Sequence, residues 1–480
     1  MLKAALHRNR GSLIVFVAVL LCYLVLLPYR IDTLRPLPIP VPVPTGDEPY
    51  YLEMAHSLIY HHTLDLTETH DVQGDYWRFY PYELGPHQSQ TTIAGHYSKH
   101  QPGLAVLIAP FYWIGDQFWL GEVTGSRAVV AAFMCFLTAL LAANIYLLAR
   151  ESGASNRVAF YVTAIMAATN PLLSYAFLIF PEIPAALCTI YVFRRARLGN
   201  DGPYRALIAG LALALLPWLH SRFAFIVLPL TIFYLFGNHQ FSRRKIRGLA
   251  LFVGPLAVGS VGFLGLNYHL YTSLMPNTQD HAGFVGLGGV VAALTGQLVD
   301  QQWGLLIYAP IYVLVFSGLI LILRRWRSAG ADGSQAGRDV LWLLAVSVPY
   351  LVMISFYRQW WGEWCPPGRY LVAILPLLTL PLVAAVQAAA RTTFGRTVQA
   401  LLLIPSLAVS AAFVADPILM YNHPLGKASL LSAASSYVGV DLTVFAPAIV
   451  YPNELSMPLT IAWLVFFGGI TMMLIAKGET

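Results

Sequence analysis

The sequence predicts an all-α polytopic membrane protein, and three observations carry that prediction. Of its 480 residues, 57% are hydrophobic and only 11% are charged, whereas a soluble domain carries about 25% charged residues. The mean hydropathy is +0.63. The apolar residues form runs that can cross a bilayer, and the charges punctuate those runs instead of gathering in a domain of their own.

That punctuation also bears on the net charge of +6. A nucleic-acid partner calls for a basic face interleaved with stacking aromatics; the charges here form no such face, and no nucleic acid is expected. Of the four cysteines, Cys22, Cys135 and Cys188 sit inside apolar runs and Cys365 falls in a loop, so no disulfide framework follows.

At the N-terminus Lys3, Arg8 and Arg10 precede an apolar run from Ser12 to Tyr29 that lacks a small-x-small cleavage site, which reads as an uncleaved signal anchor. Further runs lie at roughly 126–149, 158–180, 183–193, 206–219, 223–236, 248–271, 305–323, 340–357, 370–388, 397–415 and 458–476. About twelve transmembrane helices are therefore expected, in a single domain over 1–480.

A thirteenth stretch, Gly103 to Trp119, is apolar enough to compete. If it lies flat and the N-terminus is inside, 20 of the 29 Lys and Arg residues fall on the inner side and 18 of the 23 Asp and Glu fall outside. Short inner loops favour Lys and Arg. Making this stretch a span would flip every later loop and move Arg243-Arg244-Lys245 outside, so an interfacial helix is expected. The plasma membrane is the expected location, with both termini cytoplasmic.

Three of the runs hold only 11 to 14 residues, and at about 1.5 Å per residue they reach roughly 17–21 Å across a core of about 30 Å. Either their ends snorkel through Arg194, Arg195 and Arg197, or their outer ends are recessed. Recession would set Glu182, His220 and Arg222 around a wet, protein-walled cavity.

The first outer loop, 30–127, holds 11 of the 23 acidic residues. Pro36, Pro38, Pro40, Pro42 and Pro44 predict an extended polyproline strut that delivers Thr45-Gly46-Asp47-Glu48-Pro49-Tyr50-Tyr51. Beyond it Tyr51, Met54, Ala55, Leu58 and Ile59 recur at helical spacing, as in an amphipathic helix on the membrane surface. Asp47 and Glu48 then stand at a helix N-terminus. A structural reading is open here, with Thr45 and Glu48 as a capping box or Asp47 as the N-cap, each stabilising the helix by about 1 kcal/mol.

Gly46-Asp47-Glu48-Pro49 followed by Tyr51, after a first span, resembles the first-loop signature of the GT-C superfamily, which includes lipid A aminoarabinose transferases and protein O-mannosyltransferases. The resemblance continues through Tyr97-Ser98-Lys99-His100-Gln101-Pro102-Gly103 and the interfacial helix, then Pro181-Glu182-Ile183-Pro184, then Gly368-Arg369-Tyr370-Leu371. Order and side agree over roughly Ser12 to Leu380. It implies a GT-C-like bundle and a polyprenyl-phosphate-linked sugar donor, with an acidic residue at position 47 or 48 serving catalysis. The acceptor is then a lipid, glycan or protein hydroxyl on the outer face, attacked with inversion, and membrane lipids are further partners.

The chemistry gives these residue types a reason. A hydroxyl attacking an anomeric carbon needs a base, and the departing polyprenyl phosphate gains charge that cations stabilise. Asp47 is the expected base, with Glu48 and Glu182 positioning the acceptor or raising the Asp47 pKa through like charge. Lys99, His100, Arg222 and Arg369 are the expected phosphate ligands, and His220 and Tyr50 are expected to line the cavity. Plainer readings stand beside these: Lys99 as a solvated charge, Arg369 as an interfacial anchor and His220 as a satisfied helix-end histidine.

Seven of the 13 histidines, His56, His61, His62, His70, His87, His96 and His100, lie in the first loop. With its carboxylates they offer ligands to a divalent metal, but no pair has a ligand spacing, and no cofactor is required. Trp360, Trp361 and Trp364, with Tyr76, Trp77 and Tyr80, suit either sugar stacking or interfacial anchoring. The outer loops at 272–304, with Asp280 and His281, and at 416–457 are long enough to shape an acceptor site. A secondary transporter or a lipid or glycan carrier is the alternative. It predicts internal repeats and ionisable groups at mid-membrane, neither of which the sequence displays.

Overall fold

The computed structural model describes residues 2–29, 46–70, 88–118, 123–199, 202–237, 243–275, 283–328, 335–422 and 426–478. The polyproline strut, Thr45, Tyr76, Trp77, Tyr80, His87, Trp119, Asp280 and His281 lie outside them. Among the described residues the protein is helical, and its only β pairing is three isolated bridges.

Five helices are long and apolar enough to cross a membrane: Ser126–Glu151, Arg247–Tyr271, Gln335–Phe356, Thr393–Ala415 and Ser456–Lys477. Shorter apolar helices run Arg10–Leu26, Pro203–Leu219, Ser221–Phe236, Leu287–Val299 and Leu375–Ala389. With the mean hydropathy of +0.63, these make the chain an integral membrane protein. Several of the twelve expected spans are not continuous helices. The run 158–180 becomes Asn156–Ala168 and Leu172–Tyr175, 305–323 becomes Leu305–Tyr308, a 3-10 turn at Pro310–Val313 and Leu314–Ser328, and 370–388 becomes two 3-10 turns before Thr379–Ala389.

Proline explains the breaks. Pro171, Pro310 and Pro376 stand at the interruptions, where each removes a backbone donor and clashes with the preceding turn. A break inside an apolar protein survives only if the freed polar groups find partners.

By its internal contacts the chain divides into two compact units. The first comprises Met1–Cys22, Thr138–Tyr175 and Phe284–Thr480. Here serines of the Thr393–Ala415 helix meet two of the breaks: the backbone N–H of Ile311 donates to Ser406 Oγ at 3.1 Å, and the side-chain amide of Asn170 donates to Ser410 Oγ at 3.4 Å. Tyr175 Oη donates to the Pro366 carbonyl at 2.8 Å. Gly318 lets two helices touch, since a Cβ there would lie 1.9 Å from the Pro381 carbonyl oxygen.

Asp300, buried at the end of Leu287–Val299, pins the loops of this unit. Its carboxylate accepts N–H groups from Gln302 at 2.8 Å, Trp303 at 3.1 Å, Ile449 at 2.6 Å and Val450 at 3.2 Å. Burial pushes its pKa up to about 6, while these N–H groups pull it back. Asn keeps one acceptor oxygen and turns an NH2 towards two of the donors. Asp300→Asn is therefore expected to destabilise the protein by about 2–4 kcal/mol, read as a lower melting temperature with new protease cleavage between 441 and 455.

The second unit comprises Tyr23–Leu137 and Ala176–Gly283. The helices Pro203–Leu219 and Arg243–Tyr271 pack along each other through small residues. A Cβ on Gly210 would sit 2.2 Å from the Phe252 carbonyl oxygen, one on Gly259 would sit 2.7 Å from Ala214 Cβ, and Trp218 Nε1 donates to the Gly259 carbonyl at 2.9 Å. The Gly103–Phe118 helix begins against this pair, where a Cβ on Gly103 would lie 2.5 Å from Trp218 backbone. The Glu48–Tyr60 helix lies on Gly103–Phe118, joined by a hydrogen bond of 3.1 Å between His56 Nδ1 and Tyr112 Oη.

Candidate active site

The Glu48–Tyr60 helix starts where helical spacing predicts, with Pro49 in its first turn. Asp47 occupies the N-cap position with φ −97° and ψ −21°, and its side chain makes no capping hydrogen bond. Of the two capping readings, Asp47 as N-cap is thus not realised through its carboxylate, and the Thr45 box lies outside the described residues.

Glu48 is fully buried, and both of its oxygens are engaged. Oε1 accepts the Ile179 N–H at 2.7 Å, and Oε2 accepts from Arg127 Nη2 at 3.0 Å. The first contact joins the first-loop motif to the turn that carries Pro181-Glu182-Ile183-Pro184, 131 residues along the chain. Glu182, also fully buried, opens the Glu182–Leu198 helix and accepts from Arg222 Nη2 at 2.5 Å. Each buried carboxylate is therefore matched by a buried guanidinium, as burial of charge demands.

Arg222 belongs to the 3-10 turn Ser221–Phe223, whose N-cap is His220. His220 Nδ1 accepts the Arg222 N–H at 3.3 Å, so this ring holds the turn, as the helix-end reading expects. The Arg222 guanidinium also lies over the Phe223 ring, 4.9 Å from its centroid.

The Tyr97–Gly103 motif comes to the same helix. The His100 ring stacks on Tyr50 at 5.6 Å and 27°, and meets Tyr51 at 5.1 Å and 48°. The His100 N–H donates to Ser98 Oγ at 3.1 Å, and Lys99, half-buried, stands between them. Arg369 belongs to the first unit, where its Nη1 donates to the Gly362 carbonyl at 3.3 Å. The second unit thus brings together the segments bearing Asp47, Glu48, Tyr50, Lys99, His100, Glu182, His220 and Arg222.

Two participants were missed from sequence. Sequence reasoning takes position 127 only as the bound of the first loop and does not single out Glu53. Arg127, like Arg222, is an arginine at an end of an apolar run that the charge pattern of the sequence assigns to the outer side, against the charge bias of membrane proteins, and that exception is the signal to follow. Glu53, buried in the Glu48–Tyr60 helix, bonds His70 Nδ1 at 2.7 Å, and the His70 and His96 rings lie 4.6 Å apart. Among the described residues no group of three or more His, Cys, Asp and Glu is arranged to hold a metal ion.

The Glu53 hydrogen bond and charge raise the His70 pKa above its usual 6.5, against a smaller opposing effect of burial. Burial, then the His70 charge, lowers that of His96. A histidine raised by its partner stabilises the fold fully below about 6.5, and that contribution is lost as pH rises through the folded value. His70→Asn is therefore expected to lower the melting temperature more at pH 6 than at pH 9, and equal losses at both would remove the charged pair.

No family model matches the chain, and no curated protein matches it. Solved structures to which it is similar include ArnT from Cupriavidus metallidurans bound to undecaprenyl phosphate, at 14% identity and TM-score 0.48, over 98% of this chain and 75% of that one. They also include the archaeal oligosaccharyltransferase AglB from Archaeoglobus fulgidus in complex with an inhibitory peptide and a dolichol-phosphate. That match has 15% identity and TM-score 0.47 over 83% of this chain and 56% of the other, so the chain spans little more than half of that protein. The likeness names no residue and no substrate of this chain.

Proposed function

We propose that the chain is a GT-C-type glycosyltransferase that moves a sugar from a polyprenyl-phosphate donor to an acceptor hydroxyl on the outer face of the membrane. One observation carries the reading. Buried Glu48, neutralised by Arg127, accepts the Ile179 N–H and so ties the acidic first-loop motif to the turn before Pro181–Pro184, where buried Glu182 is neutralised by Arg222, while the adjacent Asp47 carboxylate does no capping. A framework that spends two buried ion pairs on placing one further carboxylate suits a positioned general base.

In this proposal the acceptor oxygen bonds to the anomeric carbon, and the bond from that carbon to the phosphate oxygen breaks. The hydroxyl proton passes to Asp47, and the electron pair leaves on the polyprenyl phosphate. A single displacement of this kind inverts the anomeric centre. Glu48 and Glu182 are positioning residues, and Lys99, His100 and Arg222 receive the charge that develops on the phosphate. His220 and Tyr50 act through their neighbours, His220 by holding the Arg222 turn and Tyr50 by stacking on His100.

The test is to incubate the purified chain with radiolabelled polyprenyl-phosphate sugars and an extract of envelope lipids, glycans and proteins. Appearance of label in a new covalent product, with release of polyprenyl phosphate, is the expected result. Label that stays wholly on the carrier with every sugar tried would overturn the reading.

A further inference from the structure

The Leu287–Val299 helix belongs to the first unit, within a segment that the sequence marks only as an outer loop. We propose that it lies along the outer surface of the bilayer without crossing it, with one face against the acyl chains of that leaflet. The proposal is independent of the transfer reading, because lipid contact needs no turnover.

Both ends of the helix are tied to the same end of Gln335–Phe356. Just before it, the Val285 N–H donates to the Phe356 carbonyl at 2.8 Å, and near its far end Gln297 Nε2 donates to Ser355 Oγ at 3.0 Å. Gly296 also lies against the loop after Phe356, where a Cβ would approach the Trp360 ring to 2.1 Å. At about 1.5 Å per residue the chain advances roughly 16 Å along the helix between these ties, so a helix running beside Gln335–Phe356 would have met a residue roughly ten positions further down. This one instead crosses the end. Gln335–Phe356 has 22 residues, hence a length of roughly 33 Å against a hydrocarbon core of about 30 Å. Its end therefore stands at the edge of that core, and the charge pattern of the sequence assigns this end to the outer side.

The face turned away from the protein is apolar. Val290, Ala293, Gly296 and Val299 are buried, while Leu287, Val291 and Leu294 are 78%, 65% and 36% exposed and share one stripe at helical spacing, with Phe284 81% exposed ahead of them. From Phe284 to Val299 the chain carries no charged residue. Its polar side chains are already engaged: Thr295 Oγ1 donates to the Val291 carbonyl at 2.8 Å, and Gln297 turns inward to Ser355. A surface helix in water carries polar or charged residues on its outer face, whereas one apolar all round is covered. Continuity with the membrane-facing surface identifies the cover. The helix packs against Ser456–Lys477, which is long and apolar enough to cross the membrane and exposes Met457, Ile461 and Val465. Acyl chains that cover those side chains reach the adjoining stripe with no further partner, as at the apolar face of other interfacial helices.

Spin labels on the full chain in liposomes of phosphatidylcholine and phosphatidylglycerol test this. Cys22 is exposed and the other three cysteines are buried, so Cys22→Ala gives a background for labels at Leu287→Cys, Val291→Cys and Leu294→Cys. Val465→Cys on the membrane-crossing helix is the lipid reference, and Glu454→Cys in an exposed loop is the water reference. Power saturation compares collisions with oxygen, which dissolves in the bilayer, and with a nickel chelate, which stays in water. The oxygen-to-nickel ratio at 287, 291 and 294 should match that at 465 and exceed that at 454. A ratio like that at 454 would place the stripe in water and overturn the proposal. Exclusion of both reagents would overturn it too, by showing that a second copy or another protein covers the stripe. Phospholipids carrying a diazirine in the acyl chain check the unsubstituted chain, where no variant can misfold. Adducts within 284–298 are expected, and adducts confined to the membrane-crossing helices would likewise overturn the proposal.

Discussion

Asp47→Asn is expected to leave the protein folded and donor-bound while reducing sugar transfer by about 10²-fold or more, the lower range for losing general-base catalysis. Asparagine keeps the shape of the side chain but cannot accept the acceptor's proton. Because the Asp47 side chain makes no capping hydrogen bond, the substitution takes no cap from the helix, and asparagine would in any case serve as one. Initial rates with a labelled donor, taken beside donor binding and a thermal melt, separate the roles. Lost transfer with unchanged binding and melting marks a residue that acts on the reacting proton. Near-normal transfer would move the search for the base to another carboxylate.

Arg127→Met should cost the fold about 3–5 kcal/mol, because it leaves the Glu48 carboxylate in the protein interior without its counter-charge. Glu48 is fully buried, so water cannot replace the lost guanidinium. The double variant Glu48→Gln with Arg127→Met should recover much of the loss. A glutamine oxygen can still accept the Ile179 N–H that Glu48 now accepts at 2.7 Å, and the double variant removes both charges of the pair. Chemical denaturation of the two single variants and the double variant measures this coupling. Additive losses would show that the Glu48 and Arg127 side chains are not energetically coupled.

What was legible in the sequence follows from which forces act locally. The helix after Asp47 was readable because Tyr51, Met54 and Ala55 repeat at helical spacing, and all three are buried. The long apolar helices were readable from hydropathy alone. The breaks at Pro171, Pro310 and Pro376 were not, because apolar runs pass through them, and what permits a break is a partner such as Ser406 or Ser410 far along the chain. The candidate carboxylates stood out as acidic residues in recognisable motifs. Their guanidinium partners lie 79 and 40 residues away, and side-chain pairing at that range leaves no periodic trace. Likewise, 272–304 was visible only as an outer loop, because the path of its Leu287–Val299 helix is set by contacts with Ser355 and Phe356, far along the chain.

The most direct test reconstitutes the chain in liposomes with a polyprenyl-phosphate sugar doubly labelled in the sugar and in the phosphate, and follows both labels on each side of the bilayer. The transferase reading predicts that the labels part company, the sugar label appearing in a covalent acceptor product on the outer face and the phosphate label remaining on the lipid, in equal molar amounts. Both labels crossing the bilayer together, still joined and with no product formed, would contradict it and identify a carrier of lipid-linked sugars.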